Sequence, residues 1–171
     1  MSLFGWATEQ RQGADGSVES EQRVSLTAPV VAFDCSGAVA LGDAYWLEVE
    51  RATRGLIRTR RSSGVELRVL GRRPVLLAFD PPQIDARPGR VRTEFAIRGG
   101  LLAQRPAGAI LFEQVDDGEV VLRSRITGFF PSLAARAGRS SWTGALYTRL
   151  QSRIHVAISR RYFRRLVEGA R

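Results

Sequence analysis

The sequence predicts an α+β fold in which a curved antiparallel β-sheet of about six strands packs around a long C-terminal α-helix. Short segments between Leu56 and Thr127 alternate apolar and polar residues, which is the period of half-buried strands. Short connections join these segments, and such connections favour antiparallel pairing. From Ser141 to Glu168 the period becomes helical, and the apolar side of that helix needs a sheet to pack against.

The predicted C-terminal helix has two distinct faces. One face is apolar, and its residues are Leu146, Leu150, Ile154, Ala157 and Ile158. An adjoining face carries a row of arginines, namely Arg149, Arg153, Arg160 and Arg164. At about 1.5 Å per residue the segment extends roughly 40 Å, enough to cross a small domain. We therefore expect the apolar face to be buried, with the arginine row beside it.

The patterns upstream of the sheet are weaker. We interpret residues 1–16 as a loose N-terminal tail and residues 17–171 as a single α+β domain, since 171 residues with 44% hydrophobic content supply one sizeable core. The alternation from Ser17 to Thr27 predicts a first strand. Gly37 and Gly42 interrupt an apolar run that begins at Pro29, which predicts short helical pieces or turns rather than one element.

A helix is also predicted from Asp43 to Arg54. Asp43 is a candidate N-cap, and Trp46 and Val49 follow at helical spacing. A strand over residues 45–49 is the alternative, and Gly55 would end either element.

Several later segments predict strands: Val65 to Val69, Val75 to Phe79, Val91 to Arg98, Ala109 to Val115, and Glu119 to Thr127. The last two are joined by Asp116-Asp117-Gly118. Asp-Gly supplies the positive φ values of a tight turn, so the sequence predicts a hairpin here.

The order of these elements resembles the START and Bet v 1-like helix-grip superfamily. It comprises an early strand, short helices from Pro29 to Arg54, antiparallel strands from Leu56 to Thr127, and a closing helix from Ser141. The resemblance covers most of the chain and is one of element order, without a diagnostic residue motif. It implies an apolar ligand held between the sheet and the C-terminal helix. A lipocalin-like barrel with a C-terminal helix is the alternative fold.

The positive charge is concentrated at the C-terminal end. Residues 1–127 contain 17 arginines and 16 acidic residues, whereas residues 128–171 contain 9 arginines and only Glu168 as an acid. This imbalance favours an anionic partner. An anionic membrane surface is one candidate, and nucleic acid is less favoured because no recognised binding motif accompanies the arginines. The alternatives are a solvated helix face and a contact with a second copy, which leaves a homodimer open.

Two charged residues fall within predicted apolar surfaces. If the hairpin pairs around Asp117-Gly118, then Glu113 shares a face with Leu122 and other apolar side chains. Arg161 likewise falls within the apolar stripe of the helix. Because isolated buried charges are costly, we expect these two residues to pair with each other or to reach solvent. The alternative is that one of them orients the polar end of a bound ligand.

The sequence also argues against several classes of site. Cys35 and His155 are the only cysteine and the only histidine, so we expect neither a disulfide nor a metal site, and no motif indicates a cofactor. Residues 1–16 lack the pattern of a signal peptide, and no stretch approaches the roughly 20 apolar residues of a membrane span. A cytoplasmic protein is expected. No catalytic motif is recognised, so enzymatic activity is uncertain and no catalytic residue is assigned.

The leading hypothesis is a binding protein for a hydrophobic small molecule or lipid. The predicted ligand-contacting residues are Trp46, Phe95, Ile97, Leu111, Glu113, Leu122, Ile126, Leu150, Ile154, Ala157 and Arg161. One alternative is an interaction module that docks on an anionic membrane or nucleic acid through Arg149, Arg153, Arg160 and Arg164. A further alternative is a polyketide-cyclase-like enzyme, for which Glu113 is the candidate acid.

Overall fold

A computed structural model describes residues 5–131 and 156–170 of the chain. Within these residues the fold is α+β, with a nine-stranded antiparallel sheet and two helices. The strands are β1 Ala7–Gln12, β2 Val18–Leu26, β3 Ile57–Arg61, β4 Val65–Val69, β5 Arg72–Phe79, β6 Gln83–Arg87, β7 Arg90–Gly99, β8 Ala109–Asp116 and β9 Val120–Phe129. The helices are α1 Cys35–Ala52 and α2, residues 156–169. The predicted α+β class is confirmed, whereas the strand count exceeds the predicted six.

The strands are arranged in the order β1-β2-β9-β8-β7-β5-β4-β3. The early strand β2 therefore lies beside the last strand β9. Two strands pair with the same edge of β7. β5 pairs with the C-terminal end of β7, and β6 pairs with its N-terminal half. Pro81 and Pro82 separate β5 from β6, and neither proline can donate a backbone hydrogen bond to a ladder.

The clearest sequence alternations correspond to strands of the structure. The predicted first strand and the predicted hairpin are confirmed as β2 and as β8 with β9, and β4, β5 and β7 fall within or around their predicted segments. By contrast, the expectation of a loose tail over residues 1–16 is wrong for Ala7–Gln12, which pair with β2 along their whole length. β1 is an edge strand with mostly exposed side chains, so it lacks the alternation that reveals half-buried strands.

α1 begins eight residues earlier than Asp43, the predicted start. Its N-cap is Asp34, whose Oδ1 accepts a hydrogen bond from the Gly37 amide at 2.9 Å. The prediction of broken pieces before residue 42 is therefore wrong. A Cβ on Gly37 would lie 1.9 Å from the Ala32 carbonyl oxygen, and one on Gly42 would lie 2.9 Å from Cζ of Phe95. These glycines permit close packing around the helix instead of interrupting it.

α2 packs on the same face of the sheet as α1. The Tyr162 ring lies 5.5 Å from the rings of both Tyr45 and Phe112, and Ser159 Oγ donates to Gln22 Oε1 at 3.2 Å. The predicted helix from Ser141 to Glu168 begins outside the described residues, so its full length is not tested. Neither described helix is long and apolar enough to cross a membrane.

Candidate functional site

A cavity of about 380 Å³ lies between α1 and the inner face of the sheet. From α1 its wall takes Tyr45, Trp46 and Val49. The strands supply mostly aliphatic and aromatic side chains, including Ile57, Leu67, Leu77, Phe79, Ile97, Ile110, Ile126 and Phe129. At one end the wall includes Gln10, Arg11 and Gln12 of β1, whose side chains are exposed. The cavity therefore combines an apolar interior with a polar end that reaches the surface.

Two periodicities bring these residues together. Tyr45, Trp46 and Val49 lie within one turn of α1 and on the same side of it. In the strands, alternate side chains face the core, so Ile97 of β7 and Ile110 of β8 point to the same side as their buried neighbours Phe95 and Phe112. The cavity is thus the space that remains where the inner faces of α1 and the sheet meet.

Trp46 is the largest polar-tipped residue in the cavity wall. It is 1% exposed, and its ring lies 5.0 Å from Phe79 and 5.1 Å from Phe95. Its indole Nε1 donor has no hydrogen-bond acceptor among the described residues. Leaving a buried donor unsatisfied costs about 1–3 kcal/mol.

Two buried tyrosines add polarity to the core near Trp46. Burial raises the pKa of Tyr45, and burial together with the neighbouring Tyr45 raises the pKa of Tyr162 well above its usual value. Both phenols are therefore neutral at ordinary pH. The Tyr162 hydroxyl has no partner among the described residues. These groups can donate hydrogen bonds, but they carry no charge for binding an ion.

The structure does not bring all of the predicted apolar ligand residues together. Trp46, Ile97 and Ile126 line the cavity. Phe95 and Leu122 are buried in the core but are not among the described residues of the cavity wall. Leu150 and Ile154 lie outside the described residues. Ala157 is exposed on α2 and lines a different groove.

The predicted pairing of the hairpin is wrong by one residue, and this error misplaces Glu113. Asp116 pairs with Val120, so the connection contains three residues rather than Asp117-Gly118 alone. Glu113 consequently lies opposite Arg123, and Leu111 lies opposite Arg125. Because a shift of one residue exchanges the two faces of a strand, both side chains lie on the outer face, away from the cavity.

On the outer face Glu113 forms a buried ion-pair cluster. Its carboxylate is 2% exposed and accepts hydrogen bonds at 2.8 Å from Arg90 Nε and from Arg123 Nη1. Arg123 also lies 3.3 Å from Glu21. The expected partner Arg161 is not involved, because Arg161 is exposed on α2. Among the described residues, the cavity wall contains no carboxylate and no imidazole.

The arginines of α2 line a groove beside β1. Arg160, Arg161 and Arg164 are exposed there, together with Thr8 and Gln10. None of the three arginines forms an ion pair with another described residue. Arg149 and Arg153, which complete the predicted row, lie outside the described residues. Because Gln10 also lines the cavity, the groove adjoins its polar end.

Several residues of the cavity were not among the predicted ligand contacts. Tyr45 and Val49 are marked in the sequence by their helical spacing around Trp46, and the correct hairpin register would have identified Ile110. Gln10 and Gln12 carry no comparable signal, because an exposed polar edge strand resembles a loop in sequence.

Comparison with known proteins finds no matching family model, no matching curated protein and no matching solved structure.

Proposed function

We propose that this protein binds a hydrophobic small molecule or a lipid in the cavity beneath α1. The observation that carries the proposal is the cavity itself, which has about 380 Å³ of space and a predominantly apolar wall. Pockets for small ligands typically have about 300–1,000 Å³ and a few polar groups that fix orientation. Gln10 and Gln12 at the polar end of the wall supply such groups, so the ligand is expected to carry a polar end on an otherwise apolar body.

The proposal includes a helix-grip arrangement related to the START and Bet v 1-like superfamily. Supporting this are the order of elements and the packing of α2 on the sheet through Tyr162 and Ser159. The cavity differs in one respect from the expectation, since α1 contributes three described wall residues and α2 contributes Ile158 alone. The cytoplasm is the proposed compartment.

Organic-solvent extraction of the purified protein, followed by mass spectrometry, tests for a bound compound. Titration with the neutral fluorescent probe N-phenyl-1-naphthylamine tests the cavity directly. Val49→Phe extends a side chain into the cavity and should weaken probe binding severalfold. Val39→Phe is the matched control on the same helix, because Val39 is 45% exposed and lies away from the cavity wall.

The proposal fails if no apolar compound is extracted and the probe does not bind. It also fails if the two valine variants affect probe binding equally, because the probe would then be bound elsewhere. Thermal melting of both variants establishes whether each remains folded.

A second candidate function is the binding of an anionic partner in the groove beside β1. Its support is the convergence of Arg160, Arg161 and Arg164, which have no described ion-pair partners. Arg160→Gln with Arg164→Gln should abolish such binding, and added salt should weaken it steeply. Anionic vesicles and oligonucleotides tested in parallel would distinguish the two partner classes. Binding of the neutral probe should change little with salt.

A polyketide-cyclase-like reaction has weaker support than binding. Its candidate acid, Glu113, lies in an ion-pair cluster on the opposite face of the sheet from the cavity. An acid-base reaction would have to use the neutral phenol of Tyr45 or a group outside the described wall. Binding without chemistry is therefore the preferred proposal.

A further inference from the structure

Two leucines are strongly exposed beside each other at one end of the β3–β4–β5 region. Leu56 is 55% exposed and Leu70 is 64% exposed. They are adjacent because the Leu70 amide donates a hydrogen bond to the Leu56 carbonyl at 2.8 Å. We call the surface formed by Arg54, Leu56, Arg58 and residues 70–73 the leucine tip.

Leu70 also occupies an unfavourable backbone position. Leu70 and Gly71 have φ values of 49° and 74° and connect the paired residues Val69 and Arg72, as in a two-residue hairpin turn with two left-handed positions. Glycine, asparagine and aspartate are the usual residues at such positions. Neither the turn geometry nor core packing favours leucine here, so its presence suggests an external role.

The leucines are surrounded by positive charge. Residues 54–58 and 70–73 contain four arginines and no acidic residue. All four of these arginines are exposed. Of the four, only Arg58 has an ion-pair partner among the described residues, and its distance to Glu50 is 3.9 Å. Exposed apolar side chains among arginines of which three have no described ion-pair partner match the interfacial region of an anionic bilayer.

We propose that the leucine tip docks on an anionic lipid bilayer. Leu56 and Leu70 insert below the headgroups, while Arg54, Arg72 and Arg73 contact lipid phosphates and carboxylates. The long arginine side chains can reach the headgroups while their stems cover apolar surface. A nucleic acid would engage the arginines but would leave both leucines in water. The tip also has no aromatic side chain on which bases could stack.

Docking at this surface would place one end of the cavity close to the bilayer. Ile57, the residue after Leu56, lines the cavity. The docking proposal nevertheless stands without a ligand, because it depends only on exposed residues of the tip. It is also separate from the arginine groove on α2.

Cosedimentation of the full chain with vesicles tests the proposal. The vesicles contain phosphatidylcholine alone, or phosphatidylcholine and phosphatidylserine at a ratio of about three to one. Binding is expected to the anionic vesicles and should fall as salt rises. Leu70→Asn should lower partitioning about tenfold by removing apolar surface, and Arg72→Gln or Arg73→Gln should lower it about fivefold each.

Asparagine suits the left-handed position of residue 70, so Leu70→Asn should keep or raise the melting temperature. Leu47→Gln is the control for loss of an exposed leucine, because Leu47 is 46% exposed on α1. Arg23→Gln is the control for charge, because Arg23 is exposed on β2, far from β3 in the strand order. Both controls should bind nearly as the unmodified protein does.

Three outcomes would overturn the proposal. The first is equal binding to neutral and anionic vesicles, or to neither. The second is unchanged vesicle binding by Leu70→Asn together with loss of binding by the arginine variants, which would indicate a general polyanion site. The third is loss of binding only on Arg160→Gln and Arg164→Gln, which would assign the bilayer contact to the groove on α2.

Discussion

Replacing Glu113 with glutamine separates a structural role from a role in the cavity. The substitution keeps the shape of the side chain but removes the charge that Arg90 and Arg123 share. Breaking a fully buried ion pair costs about 3–5 kcal/mol. Here the arginine side chains are 42% and 34% exposed, so water solvates them and the expected loss is smaller. We expect the free energy of unfolding to fall by about 1–2 kcal/mol.

Urea denaturation measures this loss of stability, and titration with N-phenyl-1-naphthylamine measures the affinity of the cavity for the probe in the same samples. Probe affinity should be unchanged, because Glu113 lies on the outer face. Glu94→Gln is the control, since Glu94 pairs with Arg92 on the same face but is 29% exposed. Its loss should be below about 0.5 kcal/mol. If Glu113→Gln weakened probe binding without reducing stability, the assignment of this carboxylate to a structural cluster would be refuted.

Three further substitutions test the packing around α1. Gln114→Leu should lower the unfolding free energy by about 2–4 kcal/mol, as measured by urea denaturation. The reason is that the buried Gln114 amide forms hydrogen bonds of 2.8–3.2 Å with the backbone of Val30 and Val31. Gly37→Ala should lower it by about 1–3 kcal/mol, measured the same way, since the new methyl group meets the Ala32 carbonyl. Burial acts to raise the pKa of Glu50, but hydrogen bonds from Thr59 outweigh it and keep that pKa below its usual value. The ionised Glu50 therefore stabilises the fold at pH values above the ordinary pKa range of a carboxyl group. This stabilisation is lost as the pH falls through the lowered pKa. Glu50→Gln should accordingly be less stable at neutral pH and converge with the unmodified protein in acid, as denaturation at several pH values would measure.

The strands could be predicted from the sequence wherever one face is buried and the other is solvated. β7 and the β8–β9 hairpin have this property, and their alternation identifies them. The pairing register within the hairpin could not be predicted in the same way. Asp-Gly is compatible with connections of two or three residues, so the local turn signal does not choose between the two registers. In the structure Asp116 pairs with Val120. This single choice determines whether Glu113 faces the cavity or the outer surface.

The predicted start of α1 was wrong for a different physical reason. Local propensity counts glycine as a helix breaker, which predicts a helix boundary near Gly42. The tertiary structure reverses this interpretation, because Gly42 lies against Phe95 and Gly37 against Ala32, where a larger residue has no room. Local sequence does not reveal these contacts, because Gly42 and Phe95 are distant in sequence and the contact of Gly37 with Ala32 depends on the conformation of a loop. The cavity wall on α1 was therefore only partly predictable, through the spacing of Trp46 and Val49.

The net charge of a long stretch of sequence can conceal a small surface that is strongly charged. Residues 1–127 are nearly neutral, but residues 54–73 hold seven arginines and Glu66 alone, while the remaining residues of 1–127 hold 10 arginines and 15 acids. On the outer face of the sheet the acids are paired, as Glu113 is with Arg90 and Arg123. At the leucine tip no acid is close enough to neutralise Arg54, Arg72 or Arg73 among the described residues. The electric field of a paired arginine is largely cancelled at a distance by its acidic partner. Long-range attraction to an anionic surface must therefore come from the unpaired arginines. Within residues 1–127, attraction to an anionic surface is therefore expected at the leucine tip rather than at the more heavily charged outer face.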